Sequence, residues 1–322
     1  MLPEYAVDLH FAWAAGKDPS YAPYAVANMT GANRLLIGLG WAVVVLLYCW
    51  RAQATELVMH RRQRLEIRFL VWATFYSFTI PLSGTINLFD AGVLLTLFAL
   101  YAASAMGGDS EEVELVGPPA LIAERSGDFA RRSWALACFS FAIWAIFVSA
   151  QPFADGLVEF GRHRDINEFL LVQWVAPLAS ESPEFLVASL FALRLRGSVG
   201  MGALISSKVN QWTLLVAGIP IAFCLSSGAW AGLPLDARQS EEMFLTSAQS
   251  LFAAVVLADL RFTRVEALGL AGLFVAQFFF TGTEDRYYFI AVYLLLTAVL
   301  LASAQRRRDF FGLVFSLPAS DR

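Results

Sequence analysis

Two Pro-Glu pairs carry the side chains in this sequence that are best placed to do chemistry. Pro3-Glu4 opens an apolar stretch (3–13) that recurs at Pro183-Glu184 (183–193), with Pro, Glu, Val, Phe and Ala in register. A proline within a helix removes a backbone donor and bends the helix. A glutamate at membrane depth costs roughly 3 kcal/mol on insertion scales, so such residues usually serve an ion path. The pattern predicts two bent helices that each bring an acid to one site.

The sequence around both pairs is that of a polytopic membrane protein. Its 322 residues are 58% hydrophobic and 16% charged, with a mean hydropathy of +0.59. Apolar runs long enough to cross about 30 Å of hydrocarbon recur along the chain. They predict an all-α polytopic bundle of about nine to ten transmembrane helices, with a partial helix at 1–14 and spans at 31–50, 65–82, 86–106, 131–153, 167–194, 199–228, 243–259, 263–280 and 287–304.

The basic residues orient these spans. With the 51–64 loop in the cytoplasm, most of the 23 Lys and Arg residues fall on that side, as the positive-inside rule requires. The two Pro-Glu helices then run in opposite directions, so the repeat is inverted. We expect an integral multi-pass protein of a prokaryotic cytoplasmic (inner) membrane. Its expected parts are a first half at 1–106, a cytoplasmic linker at 107–130, a second half with one extra helix at 131–304 and a cytoplasmic C-terminal tail at 305–322.

Polar residues follow each Pro-Glu helix, where the next apolar span begins. The first half contributes Asn28 and Asn33, and the second half contributes Ser206, Ser207, Lys208 and Asn210. Amide and hydroxyl oxygens beside a carboxylate are ligands that a hard cation such as Ca²⁺ prefers. Two such half-sites, facing each other, could supply these ligands together.

Asp8 lies one turn after Glu4 and therefore on nearly the same helix face. It could widen the acidic site or line the exit path. It could also be a solvated residue near the outer end of the helix, and its counterpart in the second repeat is Ala188.

These motifs resemble the α-repeats of the cation/Ca²⁺ exchanger superfamily, which includes the sodium/calcium exchangers. The similarity rests on Pro-Glu followed by Asn-x-x-Gly-Ala-Asn at 28–33, and on Ala-Ser-Glu-Ser-Pro-Glu at 179–184. The resemblance implies two antiparallel bent helices in the middle of the membrane. It also implies antiport of Ca²⁺ against Na⁺ or H⁺ through a site of these residues: Glu4 and Glu184 as paired Ca²⁺ ligands, Asn28 as an amide ligand, Ser180 as a hydroxyl ligand, and Glu181 beside them.

The sequence also departs from the pattern of that superfamily. It begins at the first Pro-Glu pair, and we expect the coding sequence to continue upstream of Met1. Ala203 stands where relatives carry an amide or a carboxylate, Lys208 falls where asparagine is usual, and Glu181 replaces a small hydroxyl residue. Lys208 could replace a bound monovalent cation or pair with Glu181, or its side chain could reach the cytoplasmic edge of the bilayer. For Arg34 we expect an acidic partner or a position at the interface.

Antiport of small cations across the lipid bilayer is the function that the sequence favours. A non-transporting, exchanger-like scaffold or sensor is the alternative, because of the changes at Ala203 and Lys208. An enzyme is not indicated, since the sequence has no nucleophile–base pair, histidine metal cluster or phosphate-binding glycine loop. We expect no cofactor and no nucleic-acid partner, and the oligomeric state stays open.

Overall fold

Helices make up nearly all of the fold. The computed structural model describes residues 2–106, 127–280 and 282–315. The α-helices in that part of the chain are α1 (Leu2–Lys17), α2 (Ala22–Leu35), α3 (Ala42–Ala52), α4 (Gln63–Ser77), α5 (Leu88–Ala105), α6 (Asp128–Arg164), α7 (Glu168–Leu193), α8 (Gly197–Asn210), α9 (Val216–Ser227), α10 (Ala237–Val256), α11 (Arg264–Ala276), α12 (Thr283–Ala302) and α13 (Ala304–Phe315).

The length and composition of these helices fit a lipid bilayer. Within the described residues, six helical segments are long and apolar enough to cross a membrane, among them Pro19–Ala52 and Gly197–Ser227. The predicted all-α membrane bundle is therefore confirmed. Shorter helices such as α4 and α11 fall below that length, so the number of crossings stays a prediction.

The helix that carries the first polar segment starts earlier than expected. It begins at Ala22 and not at residue 31, because Asp18 caps the preceding turn and Pro23 lies in the first helical turn. A proline is tolerated there, since that N–H would have no partner within the helix. The polar stretch 28–34 therefore lies inside the helix and is buried along its whole length.

The linker and the tail also differ from the predicted boundaries. α6 begins at Asp128, within the predicted linker 107–130, while residues 107–126 lie outside the described part of the chain. The tail predicted from residue 305 forms α13, which packs on α4 and buries three apolar side chains, Phe310, Leu313 and Val314. A helix with one apolar face is stable here because α4 covers that face.

A π turn interrupts the polar helix of each half at corresponding positions. α2 and α3 are joined through Leu36–Trp41, and α8 and α9 are joined through Gln211–Leu215, so the second π turn starts 175 residues after the first. Turns of this kind are rare and are frequently found at functional sites. The same offset makes Lys208 the counterpart of Asn33, and Ala203 the counterpart of Asn28.

Short antiparallel strand pairs connect the two halves. β1 (Glu56–Val58) pairs with β4 (Arg261–Thr263), and β2 (Thr85–Ile86) pairs with β3 (Leu233–Pro234). β1 follows the first interrupted helix and β3 follows the second, and each pairs with a loop of the opposite half. Reciprocal pairing of this kind is what two inverted repeats are expected to produce.

Candidate ion-binding site

Two acids from opposite halves meet in the interior of the bundle. Glu4 of α1 and Glu181 of α7 are both fully buried. Their carboxyl groups lie close enough to interact directly with each other. Two carboxyl groups this close cannot both carry a free negative charge, so they must share a proton or a cation. The pair is therefore a place where one ion can replace another.

Asp8 and Asn28 extend this acidic pair on the side of the first half. Asp8 lies one turn after Glu4 on α1, and both Asp8 and Asn28 are fully buried. The Asn28 amide donates from Nδ2 to Asp8 Oδ1 over 2.8 Å. This bond leaves the carbonyl oxygen of Asn28 available as an acceptor. Asp8 is therefore buried in the cluster, and the alternative of a solvated position is wrong.

Gln211 completes the cluster on the side of the second half, although the sequence did not identify it as a site residue. It opens the second π turn, is fully buried, and donates from Nε2 to Glu181 Oε1. The same nitrogen lies 3.5 Å from the hydroxyl oxygen of Ser207. The signal in the sequence was its place at the end of the polar stretch 206–211, directly before the next apolar run.

Lys208 lies in the same interior, and its side chain does not reach the membrane edge. It is fully buried, with 0% of its surface accessible. Its Nζ donates to Asn33 Oδ1 over 2.6 Å and lies 4.2 Å from the centre of the Trp212 ring. The charges of Glu4 and Glu181 act on it. Among the described residues Lys208 therefore lies within electrostatic reach of the two acids without forming a direct ion pair with Glu181, and a position at the cytoplasmic edge does not fit the structure.

The donor atoms of this cluster suit a hard cation. Six buried oxygen atoms accept no hydrogen bond from the described residues, and they are Glu4 Oε1 and Oε2, Asp8 Oδ2, Asn28 Oδ1, Glu181 Oε2 and Gln211 Oε1. A buried oxygen without a partner loses its hydration without compensation, so each is a candidate ligand. Within the described residues, no group of three His, Cys, Asp or Glu side chains is placed to hold a metal ion. Amide or water oxygens would therefore have to complete the coordination of Ca²⁺.

Comparison with known proteins identifies the family. The family model described as sodium/calcium exchanger protein matches residues 1–107 and 134–282. This chain belongs to the sodium/calcium exchanger family. Comparison with curated protein sequences gives no match. The predicted resemblance to the cation/Ca²⁺ exchanger superfamily is confirmed, and the exchanger is an integral multi-pass membrane protein.

Two solved structures show how closely this exchanger follows known relatives. It is 47% identical to the H⁺/Ca²⁺ exchanger CAX, with a TM-score of 0.93 over 97% of this chain and 78% of that chain. It is 18% identical to the sodium-calcium exchanger NCX_Mj, with a TM-score of 0.57 over 87% of this chain and 84% of that chain. The second likeness shows the fold alone.

The structure adds an acid to the predicted pair of this exchanger. Glu184 was expected to meet Glu4, and the acid that interacts with Glu4 in the structure is Glu181, three residues earlier on α7. Glu184 itself is half-buried. Pro177 and Pro183 both lie within this helix, and prolines inside helices commonly bend them. The role of Glu184 as a Ca²⁺ ligand stays a prediction.

The remaining predicted residues of the exchanger divide into two groups. Asn33 and Ser207 lie in the cluster, because Asn33 accepts a hydrogen bond from Lys208 and the Ser207 hydroxyl lies 3.5 Å from Gln211 Nε2. Three others bind elsewhere, since the Ser180 hydroxyl donates to Pro177 O over 3.4 Å, Ser206 Oγ lies 2.8 Å from Tyr101 Oη, and Asn210 Oδ1 accepts from Tyr5 Oη. The roles of Ser206 and Asn210 in the ion path therefore stay predictions.

A second buried group of charges lies beside the site in this exchanger. Arg34 follows Asn33 on α2 and forms an ion pair with Glu242 of α10. Arg286 of α12 bonds from Nε to Glu242 over 2.8 Å and from Nη1 to Glu241 over 3.4 Å. The expected acidic partner for Arg34 is thus present. The sequence could not identify it, because Glu242 is more than two hundred residues away.

Proposed function

We propose that this chain is a secondary active antiporter that exchanges Ca²⁺ for H⁺ through the acidic cluster. Exchange of Ca²⁺ against Na⁺ or H⁺ is the function of its family, and the observation that favours H⁺ is the contact between Glu4 and Glu181. A proton held between two carboxyl groups and a Ca²⁺ bound by both are alternative ways to neutralise the same pair. The 47% identical relative is named an H⁺/Ca²⁺ exchanger.

The ligands act in this mechanism by competition and not by covalent chemistry. Glu4, Glu181 and Asp8 supply charged oxygens, and the amide oxygens of Asn28 and Gln211 complete part of the coordination shell. A buried cluster of acids without an ion carries an uncompensated charge in a medium of low dielectric constant. We therefore expect the two halves to rock between outward and inward openings only when Ca²⁺ or protons neutralise the cluster.

We also propose that the protein lies in a prokaryotic cytoplasmic membrane with its C-terminus in the cytoplasm. The arginines after α3 and at the start of α13 fall on the same side of the bundle when the helices alternate. The positive-inside rule assigns that side to the cytoplasm. Accessibility of single cysteines introduced into the β1 loop and after α13 would test this orientation.

A flux measurement tests the proposed exchange directly. Purified protein in vesicles with an acidic interior should take up ⁴⁵Ca²⁺ after dilution into an alkaline medium, and nigericin in K⁺ medium should abolish this uptake by collapsing the pH gradient. Vesicles loaded with Na⁺ at equal pH form the comparison arm for Na⁺ as counter-ion. Uptake no faster than in protein-free vesicles under both gradients would contradict antiport.

A non-transporting scaffold is the second candidate, and the buried Lys208 favours it. An ammonium already placed near Glu4 and Glu181 could hold the cluster in one state without any ion. In that case Ca²⁺ should neither move across the vesicle membrane nor raise the melting temperature of the purified protein. A rise in melting temperature with Ca²⁺ would favour a functional ion site.

A further inference from the structure

Lys208 places a cationic side chain in the buried interior, beside the acidic cluster. Its ammonium group is removed from solvent, donates a hydrogen bond to the amide oxygen of Asn33, and lies against the face of Trp212. Burial of an ammonium group costs several kcal/mol unless nearby groups compensate. The carboxyl groups of Glu4 and Glu181 are the charges that attract it, and an aromatic face adds a further attraction for a desolvated cation.

The position of Lys208 in the inverted repeat is also informative. Its counterpart in the first half is Asn33, and the two side chains contact each other over 2.6 Å across the centre of the bundle. An asparagine at position 208 would be shorter and uncharged. Here the second half instead places beside Asn33 a charge that is covalently attached to α8.

The charges of the buried cluster balance when one divalent cation is added. Three fully buried acids of the cluster, Glu4, Asp8 and Glu181, lie together with the ammonium of Lys208, and the half-buried Glu184 is not counted here. One Ca²⁺ added to this set would give a net charge of zero, which is the arrangement that a low-dielectric interior favours. Without the ammonium, the same acids and one Ca²⁺ would require one more monovalent cation.

We propose that Lys208 is a tethered cation that occupies a monovalent-cation subsite beside the Ca²⁺ ligands. Ca²⁺ exchange by this chain therefore needs no free alkali-metal ion, and Lys208 determines this specificity. The inference rests on the proposed function, because it concerns the same acidic cluster. It predicts that removal of the charge opens a subsite which Na⁺ or Li⁺ can fill.

The test compares alkali-cation dependence in four proteins. Wild type, Lys208→Gln, Lys208→Arg and Lys17→Gln are reconstituted, and ⁴⁵Ca²⁺ uptake driven by a pH gradient is measured in Na⁺, Li⁺ or N-methyl-D-glucamine medium. Lys17 is the other lysine of the sequence and lies exposed at the end of α1, so it is the matched control. For each of wild type, Lys208→Arg and Lys17→Gln, the protein's own rates in the three media should agree within about twofold.

In the N-methyl-D-glucamine medium, Lys208→Gln should transport Ca²⁺ at least tenfold more slowly than wild type. Na⁺ or Li⁺ should restore a large part of the wild-type rate. Rates for Lys208→Gln that are equal in all three media would overturn the proposal, as would a wild type that requires Na⁺. Rescue by arginine separates the effect of charge from a loss of packing, because Lys208→Arg keeps the charge in a different shape.

A binding measurement decides the case in which Lys208→Gln is folded but does not transport. Na⁺ should then raise the melting temperature of Lys208→Gln but not that of wild type, because only the variant has a vacant subsite. The absence of such a rise would reject the tethered-cation proposal. If wild type itself shows no Ca²⁺ flux, the antiport proposal fails, while this Na⁺-dependent shift still tests the role of Lys208.

Discussion

Two adjacent residues of α2 contact two different buried charge clusters. Asn33 accepts a hydrogen bond from Lys208 of the first cluster, which holds Glu4, Asp8 and Glu181. Arg34 belongs to the second cluster, in which it pairs with Glu242. In the second cluster each arginine bonds to a glutamate, and Glu242 accepts from both Arg34 and Arg286. In the first cluster the acids outnumber the ammonium, and six oxygen atoms accept no hydrogen bond from the described residues.

This difference separates a structural cluster from a candidate ion site. A set of buried charges that are all paired has no need of an external ion, and it connects α2 to α10 and α12. A set with an excess of acids is stable only when protons or cations enter from solution. Burial alone therefore does not identify the site, whereas several unmatched oxygens together with an excess of acids do.

The largest effect is expected for the two acids that meet in the first cluster. Glu4→Gln or Glu181→Gln should lower Ca²⁺ transport by at least about 100-fold. Removal of one charged ligand from a buried contact weakens the binding free energy, here that of Ca²⁺, by roughly 2–5 kcal/mol. The folded protein should keep or gain thermal stability, since the neutral amide relieves repulsion between acids. Flux in vesicles and the melting temperature without Ca²⁺ measure the two effects.

Glu159→Gln is the matched control for these variants, because Glu159 is an exposed acid of α6 that contacts His163. It should retain the wild-type rate within about twofold. Glu184→Gln extends the series to the acid that the sequence favoured. If Glu184→Gln abolished transport while Glu181→Gln did not, Glu184 and not Glu181 would be the partner of Glu4 in function.

A loss of stability is expected when the second cluster is broken. Glu242→Gln should lower the free energy of unfolding by about 3–5 kcal/mol, because two buried arginines lose their shared carboxylate. The double variant Arg34→Met/Glu242→Met should recover most of this loss, since Arg286 keeps Glu241 as a partner. Denaturation in SDS measures both. Equal stability of Glu242→Gln and wild type would show that the cluster is not structural.

The smallest effect is expected at the helix contact that positions both clusters. Gly31 on α2 packs against α7 so closely that an added Cβ would lie 1.9 Å from the carbonyl oxygen of Gln173. Gly31→Ala should therefore destabilise the protein by about 1–3 kcal/mol and shift α2 relative to Glu181. SDS denaturation and the Ca²⁺ concentration at half-maximal uptake measure these changes.

Gly92→Ala on α5 is the control for Gly31→Ala, because an added Cβ there meets nothing within 4 Å. It should be neutral or stabilising by about 0.5–1 kcal/mol, as alanine favours a helix more than glycine does. A Gly31→Ala protein as stable and as active as Gly92→Ala would mean that the close contact between α2 and α7 is not required.

The fold class and the chemistry of the site could be predicted from the sequence with little ambiguity. Long apolar runs allow only helices in a bilayer, because every backbone polar group must find a partner within the chain. The repeated Pro-Glu pairs predicted two bent helices and an acidic site, and Glu4 and Asn28 lie in the buried cluster. These signals are local, and a single residue or a short spacing carries them.

Long-range partners required the tertiary structure. Glu181 and Glu184 differ by only three residues, and both lie on α7 with prolines at 177 and 183, so the sequence cannot tell which carboxyl group faces α1. Residues three apart lie on neighbouring faces of a helix, and the packing angle of the helices selects one of them. Helix packing likewise brings Gln211 to Glu181 and Glu242 to Arg34, which lie on other helices. The sequence by itself thus determined which ligands are available, and helix packing decided which of them meet.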